Sequence, residues 1–262
     1  VIDTHCHLTF PEFEGKVPRT LADAAARGVT GVVTIATTTR DSLRALAVAE
    51  AHDRVWCSAG VHPLYSAAGP HVWADMAKAA ASEKCVAWGE LGLDNHYAEP
   101  TRGVQRAVLD EQLAFIEACA AGAAGKAIDK PIILHCREAF ADLIPVLKAT
   151  RLSPERMVFH CFTGTAAEMR MVLDYGACVS FTGVVTYKNA AAVREAVRLV
   201  PKGRFMVETD APFLPPEPER KRPCTPAMVA LTLASLAATR GEAVEALHEE
   251  VNETTARFFG IR

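Results

Sequence analysis

Met157-Val158-Phe159-His160-Cys161-Phe162 is followed by Ala166–Tyr175 and then by Cys178-Val179-Ser180-Phe181. The first and last stretches are apolar runs that read as buried strands. The middle stretch has helical spacing. Together they make one strand–helix–strand unit, which predicts two parallel strands joined by a right-handed crossover. The same alternation extends in both directions. Val1–His5, Gly31–Ala36, Val55–Val61, Cys85–Leu91 and Pro131–Cys136 precede it, and Phe205–Thr209 follows. Segments with helical spacing lie between them: Leu21–Arg27, Ser42–His52, Ala107–Ala121, Phe140–Lys148 and Ala190–Leu199. Two more, Met228–Thr239 and Ala243–Phe259, close the chain.

The apolar segments start at residues 1, 31, 55, 85, 131, 157, 178 and 205. Each interval has room for a strand, a helix and two turns. Eight such units in 262 residues predict an α/β protein, a closed (β/α)8 TIM barrel of roughly 250 residues, spanning 1–262 as one domain. A doubly wound open sheet is the rival fold. The longest interval, between the fourth and fifth strands, contains Ala120-Ala121-Gly122-Ala123-Ala124-Gly125-Lys126. That stretch reads as a surface insertion.

Composition excludes several partner classes. A net charge of −3 argues against a broad duplex-DNA footprint, which wants a basic face. It leaves room for a small site that handles a nucleic-acid end. No stretch approaches about 18 consecutive apolar residues, so no transmembrane helix is expected. Val1-Ile2-Asp3-Thr4 lacks the charged start and apolar core of a signal peptide. The eight cysteines contain no CxxC pair and lie mostly in apolar runs. Buried reduced thiols in a cytoplasmic protein are therefore expected.

Chemistry gathers at the ends of the predicted strands. His5 and His7 end the first, Glu90 the fourth, His135 the fifth and His160 the sixth; Glu208 and Asp210 follow the eighth. In a barrel these C-terminal strand ends face one mouth. Buried charges and imidazoles are costly unless paired or metal-bound. Four His, one Glu and one Asp suit two divalent cations, with Glu90 bridging. His5, His7 and Asp210 are expected to hold one ion, and His135 and His160 the other. Zinc, manganese, iron or magnesium would suit these ligand types.

Weaker candidates line the same rim. His62 ends the third strand and is placed to touch a metal or phosphate, or to cap the turn at Pro63. Arg137 follows His135 by two and can offer a phosphate two donors. Lys188 follows the seventh strand, where barrels often bind phosphate. Glu208 is two before Asp210 and is read on the same side, as a contributor to metal or substrate binding or as a salt-bridged support. Asp94 is expected to support the loop or a ligand. Cys6, Cys136 and Cys161 are expected to alternate away from the rim.

These motifs, in this order, resemble the TatD-type metal-dependent deoxyribonucleases among the amidohydrolase-like barrels. The resemblance rests on Asp3-Thr4-His5-Cys6-His7-Leu8, Gly60-Val61-His62-Pro63 and Gly89-Glu90-Leu91-Gly92-Leu93-Asp94. It continues through His135-Cys136-Arg137-Glu138-Ala139, His160-Cys161-Phe162-Thr163-Gly164 and Glu208-Thr209-Asp210-Ala211-Pro212. It implies His5, His7, Glu90, His135, His160 and Asp210 as metal ligands. Glu90 stands where many related barrels carry a carboxylated Lys. Two departures touch the expected substrate rim. Leu64 stands where many members have a His, and Arg220-Lys221-Arg222-Pro223-Cys224-Thr225-Pro226 lacks the family's Asn.

The expected function is metal-dependent hydrolysis of DNA phosphodiester bonds, as an exonuclease on single strands or ends. Two cations would activate the attacking water, and Asp210 would accept its proton. The rival enzyme reading is an amidohydrolase cutting a C–N or ester bond of a small metabolite. A barrel retained as a scaffold is the non-enzymatic rival.

Overall fold

In a computed structural model that describes residues 1–123 and 125–261, eight parallel strands form one sheet in sequence order. They are β1 (Ile2–Cys6), β2 (Gly31–Thr34), β3 (Val55–Ala59), β4 (Cys85–Asp94), β5 (Ile132–Arg137), β6 (Met157–Phe159), β7 (Cys178–Phe181) and β8 (Phe205–Val207). Cys6 pairs with Ala211 across the seam, and the His7 N–H donates to the Ala211 carbonyl at 2.7 Å. That seam contact gives the (β/α)8 TIM barrel and excludes the open sheet.

Helices follow the strands: α1 (Val17–Ala25), α2 (Thr39–Glu50), α3 (Trp73–Ala80), α4 (Arg102–Ala120), α5 (Phe140–Lys148), α6 (Ala166–Tyr175), α7 (Ala191–Leu199), α8 (Val229–Arg240) and α9 (Val244–Phe259). The α3 helix was not foreseen, because its short inner face is built from Met76, Ala79 and Ala80, which give a weak apolar stripe. The α4 helix begins five residues earlier than its apolar pattern does. Thr101 caps it there by accepting the Val104 N–H at 3.4 Å. In the small-residue stretch after α4, Ala124 lies outside the described residues. No single helix among the described residues is long and apolar enough to cross a membrane. All eight cysteines are unpaired, and all but Cys161 are buried.

Strand pleating divides the apolar side chains into two clusters. Ile2, Val33, Ile35, Val86, Ile133, Val158 and Met206 fill the barrel interior, where Phe259 and Ile261 pack against them. Their neighbours in the chain, such as Val32, Ile132, Leu134, Phe205 and Val207, face the helical layer. Two strands break this alternation near their C-terminal ends. Ile2 faces inward but Cys6, of the same parity, faces the helices, and the β1–β2 register shifts between Asp3 and Cys6. Trp88 and Leu91, of opposite parity, both face the helices, and the β4–β5 register shifts between them. Such irregularities re-aim side chains beside functional sites.

Candidate metal centre

The mouth above the C-terminal strand ends is a cavity of about 740 Å³. His7, His62, Glu90, His135, His160 and Asp210 line it, and His5 lies beneath with no exposure. Glu90 is the hub. Its Oε2 sits 3.1 Å from His5 Nε2. Its Oε1 sits 2.6 Å from His160 Nε2, 2.8 Å from His135 Nδ1 and 3.3 Å from His62 Nε2. Asp210 Oδ1 lies 3.3 Å from His7 Nε2 and 3.6 Å from His5 Nε2. The six candidate ligands are thus brought to one place, with the two Glu90 oxygens turned to different imidazoles.

Three of these ligands are set by their other ring nitrogen. His7 Nδ1 lies 3.2 Å from the Ile35 carbonyl, to which it donates. That leaves Nε2 as the free lone pair. His135 Nε2 donates to Asp94 Oδ2 at 3.0 Å, leaving Nδ1. His160 Nδ1 faces Glu208 Oε1 at 3.4 Å, leaving Nε2. A carbonyl or carboxylate behind an imidazole is the arrangement that orients a metal-binding histidine. His62 is different. Its Nδ1 accepts the Leu64 N–H at 3.0 Å, so the neutral ring carries its proton on Nε2. Burial first of all pushes its pKa down to about 4, against the pull of Glu90. In this tautomer His62 is a neutral donor, with Nε2 3.1 Å from His135 Nδ1.

Electrostatics and unmet polar atoms point to cations. Burial alone would raise Glu90, but the surrounding imidazoles of His160, His62 and His5 hold its carboxyl well below the usual range. Asp210 is likewise held low, by His7 and His5 against burial. Burial pushes His5 down, whereas Glu90 and Glu208 outweigh burial at His160 and raise it. Both ring nitrogens of His5, Glu90 Oε2 and His160 Nδ1 are buried without a hydrogen bond. Buried polar atoms are seldom left so. Ligand atoms lie within 4.8 Å of one another in three groups among the described residues: His5, His7 and Asp210; His5, His160 and Glu208; and His62, Glu90 and His135. The donor set fits divalent cations held by imidazole and carboxylate.

Other sequence-based expectations need correction. Glu208 does not share a side with Asp210 and does not line the cavity, because β8 ends at Val207 and the pleat does not continue. It is buried, and it accepts hydrogen bonds from the Cys161 N–H and the Ser180 hydroxyl, each at 2.6 Å. It supports His160, and its carboxylate forms a group with His5 and His160 whose donor atoms lie within 4.8 Å of one another. Lys188 is exposed and outside the cavity. Cys161 lines the cavity instead of turning away, whereas Cys136 borders the cavity but packs in the layer that faces the helices. For Cys161 the cause is a left-handed backbone, φ 47°, just past the end of β6. Arg137 does line the cavity, with its guanidinium 5.2 Å from the Tyr97 ring centre. Of the two departures, Leu64 is on the rim. Arg220–Pro226 is not, and Arg220 stacks on Tyr187 at 3.6 Å.

Several supports were not read from the sequence. Gln112 Oε1 accepts the Val61 N–H at 2.8 Å, and its Nε2 donates to the Val61 carbonyl at 2.9 Å. Gln105 grips the Asp94 backbone in the same way, at 2.8 and 2.9 Å. Both glutamines sit on the buried face of α4, and polar residues seven apart on an apolar stripe were the available signal. Asp3 ties β1 to the end of β8 by accepting the Thr209 hydroxyl at 2.6 Å. Backbone conformation also singles out the mouth. The four non-glycine residues with positive φ among those described are Glu138, Cys161, Asp210 and Leu214, and all four line the cavity. Such conformations cost energy and cluster at functional sites.

Comparisons with known proteins agree with this geometry. The family described as TatD related DNase matches residues 2–260. An uncharacterized metal-dependent hydrolase of Escherichia coli, YcfH, is 37% identical over 264 residues, covering 100% of this chain and 96% of its own length. The 3'-5' ssDNA/RNA exonuclease TatD of Pantoea ananatis is 34% identical, with 100% of both chains covered. The crystal structure of YjjV, a TatD homologue from Escherichia coli, superposes with a TM-score of 0.87 at 30% identity, over 100% of this chain and 98% of that one. With the whole barrel matched and its mouth built from histidines and carboxylates, this chain belongs to the TatD-related DNase family of metal-dependent hydrolases.

Proposed function

We propose that this protein hydrolyses phosphodiester bonds of nucleic acids, trimming single strands of DNA at their ends with two divalent cations. The observation that carries the reading is the division of Glu90. One oxygen faces His5 and the other faces His135 and His160, as a bridge between two ions requires. The full-length likeness to a relative named as a single-strand exonuclease supports the substrate class.

His5, His7 and Asp210 would hold one cation, His135 and His160 the other, and Glu90 both. When bound, the cations supply a water that ionises near neutral pH and draw charge from the phosphoryl oxygens. Asp210, kept ionised by His7 and His5, is placed to accept a proton at its carboxylate. His62 Nε2–H is a neutral donor at the cavity wall, 3.1 Å from His135 Nδ1 and 3.3 Å from Glu90 Oε1, so it would orient these two groups. Arg137 is the lining residue able to give an oxygen of the phosphate two parallel donors.

The test is degradation of an end-labelled single-stranded DNA with magnesium or manganese, comparing wild type with Asp210→Ala. Metal-dependent shortening that disappears in the variant supports the reading. No shortening by wild type moves the assignment to a hydrolase of small molecules.

A further inference from the structure

Eight large hydrophobic side chains among the described residues are more than a third exposed. Three of them are aromatic: Tyr65, Tyr97 and Phe213. All three line the mouth of the cavity, and none of the five aliphatic ones does. Exposed aliphatic side chains scattered singly are ordinary. Aromatic rings gathered at one mouth mark a binding surface.

The two most exposed rings are fixed to the metal centre from different sides. Phe213 is 47% exposed, and its N–H donates to the Asp210 carbonyl at 2.9 Å. Phe10, after β1, meets the Phe213 ring edge-on at 5.9 Å between centres and stacks on His7 at 4.6 Å. Tyr97 is 49% exposed, and its N–H donates at 3.2 Å to Asp94, the residue that holds His135. Phe213 therefore rises from the β8–β1 seam and Tyr97 from the end of β4. These lie on nearly opposite sides of an eight-stranded ring, and both rings line the same cavity as Glu90.

Charge leaves these rings with the main burden of recognition. Arg137 is the only Lys or Arg lining the cavity among the described residues, and Glu138 and Glu168 line the cavity with it. A polyanion therefore finds little phosphate grip here beyond the reacting group. Single-stranded nucleic acid offers a second handle, the π face of each unpaired base. Stacking on an aromatic side chain is worth roughly 5- to 150-fold in affinity per base.

We propose that Phe213 and Tyr97 are base-stacking platforms that take the nucleobases on the two sides of the scissile phosphate. This rests on the phosphodiesterase reading above and adds the means of substrate selection. Paired bases are already stacked within a duplex, so the two platforms select unpaired ends.

The experiment compares kcat/KM on two single-stranded oligonucleotides in manganese. One is fully base-bearing. The other carries tetrahydrofuran abasic residues in place of the two terminal nucleotides at each end. For wild type, the base-bearing to abasic ratio is expected to be about 10 or more. In Phe213→Ala and in Tyr97→Ala it falls toward one, chiefly through KM, and Phe213→Tyr restores it. Both rings are half exposed, so neither truncation disturbs the core. A wild-type ratio near one overturns the proposal, as does an unchanged ratio in both alanine variants, while the phosphodiesterase reading survives. No cleavage of either oligonucleotide by wild type overturns both.

Discussion

His5 Nε2 and Glu90 Oε2 face each other at 3.1 Å, and each is delivered by a strand whose register shifts beside it. Neither atom makes a hydrogen bond. Two buried, unsatisfied lone pairs this close repel one another unless a proton or a cation lies between them. The contact therefore concentrates the case for a metal, and removing either partner has a definite consequence.

Replacing the hub tests the bridge. Glu90→Ala is expected to weaken binding of both ions and to lower turnover by more than 100-fold. Even outer partners of metal ligands cost roughly 10–100-fold. Metal content by elemental analysis and initial rates check this together. Full metal content with full turnover would sink the bridging assignment.

The carboxylates behind the histidines give a graded effect. Asp94→Asn takes the charge from the group that receives His135 Nε2–H, and Glu208→Gln does the same behind His160. Each is expected to lower metal affinity by roughly 10–100-fold without removing a ligand. Manganese titration by calorimetry reads the difference. Affinities equal to wild type would show that neither carboxylate orients its ring.

Gln112 offers a test of the scaffold apart from the metal. Gln112→Leu leaves the Val61 N–H and carbonyl buried without their partners. Each orphaned group costs about 1–3 kcal/mol. A fall in Tm of several degrees is expected, with disordering of the turn that carries His62. An unchanged Tm would mean that water or a neighbour replaces both bonds.

Metal binding should depend on pH with a fixed sign. Glu90 and Glu208 raise His160 above the ordinary imidazole value despite its burial. The metal-free ring thus holds its proton at neutral pH, and a cation must displace it. Affinity should rise with pH up to that raised value, by as much as about tenfold per unit for one proton. Calorimetric titrations with manganese at pH 6, 7 and 8 show the slope directly. Affinity that stays level across this range removes His160 from the ligand set.

Much of this protein is legible in its sequence. Each β–α unit announces itself by local pattern, as Met157–Phe181 does, because strand and helix periods depend on neighbours in the chain. The candidate ligands are legible for the same reason, since His5, Glu90, His135 and His160 each sit at or just past the end of an apolar run that has no packing need for them. The pleat does not extend beyond the strands: it would set Glu208 beside Asp210, whereas the chain leaves β8 at Val207 and enters a left-handed conformation at Asp210.

What the tertiary structure alone decided is the aim of each side chain. The irregularities in β1 and β4 exist only relative to β2 and β5, so no pattern within either strand reveals them. The tautomer of His62 depends on the Leu64 N–H folding back onto its ring. The hold on Val61 depends on Gln112, which lies 51 positions further along the chain. The rings of Phe213 and Tyr97 flank the same centre only because β8 closes onto β1. Sequence supplies the inventory and the order of groups through local periodicity; their convergence follows from register and closure, which arise from contacts between distant segments.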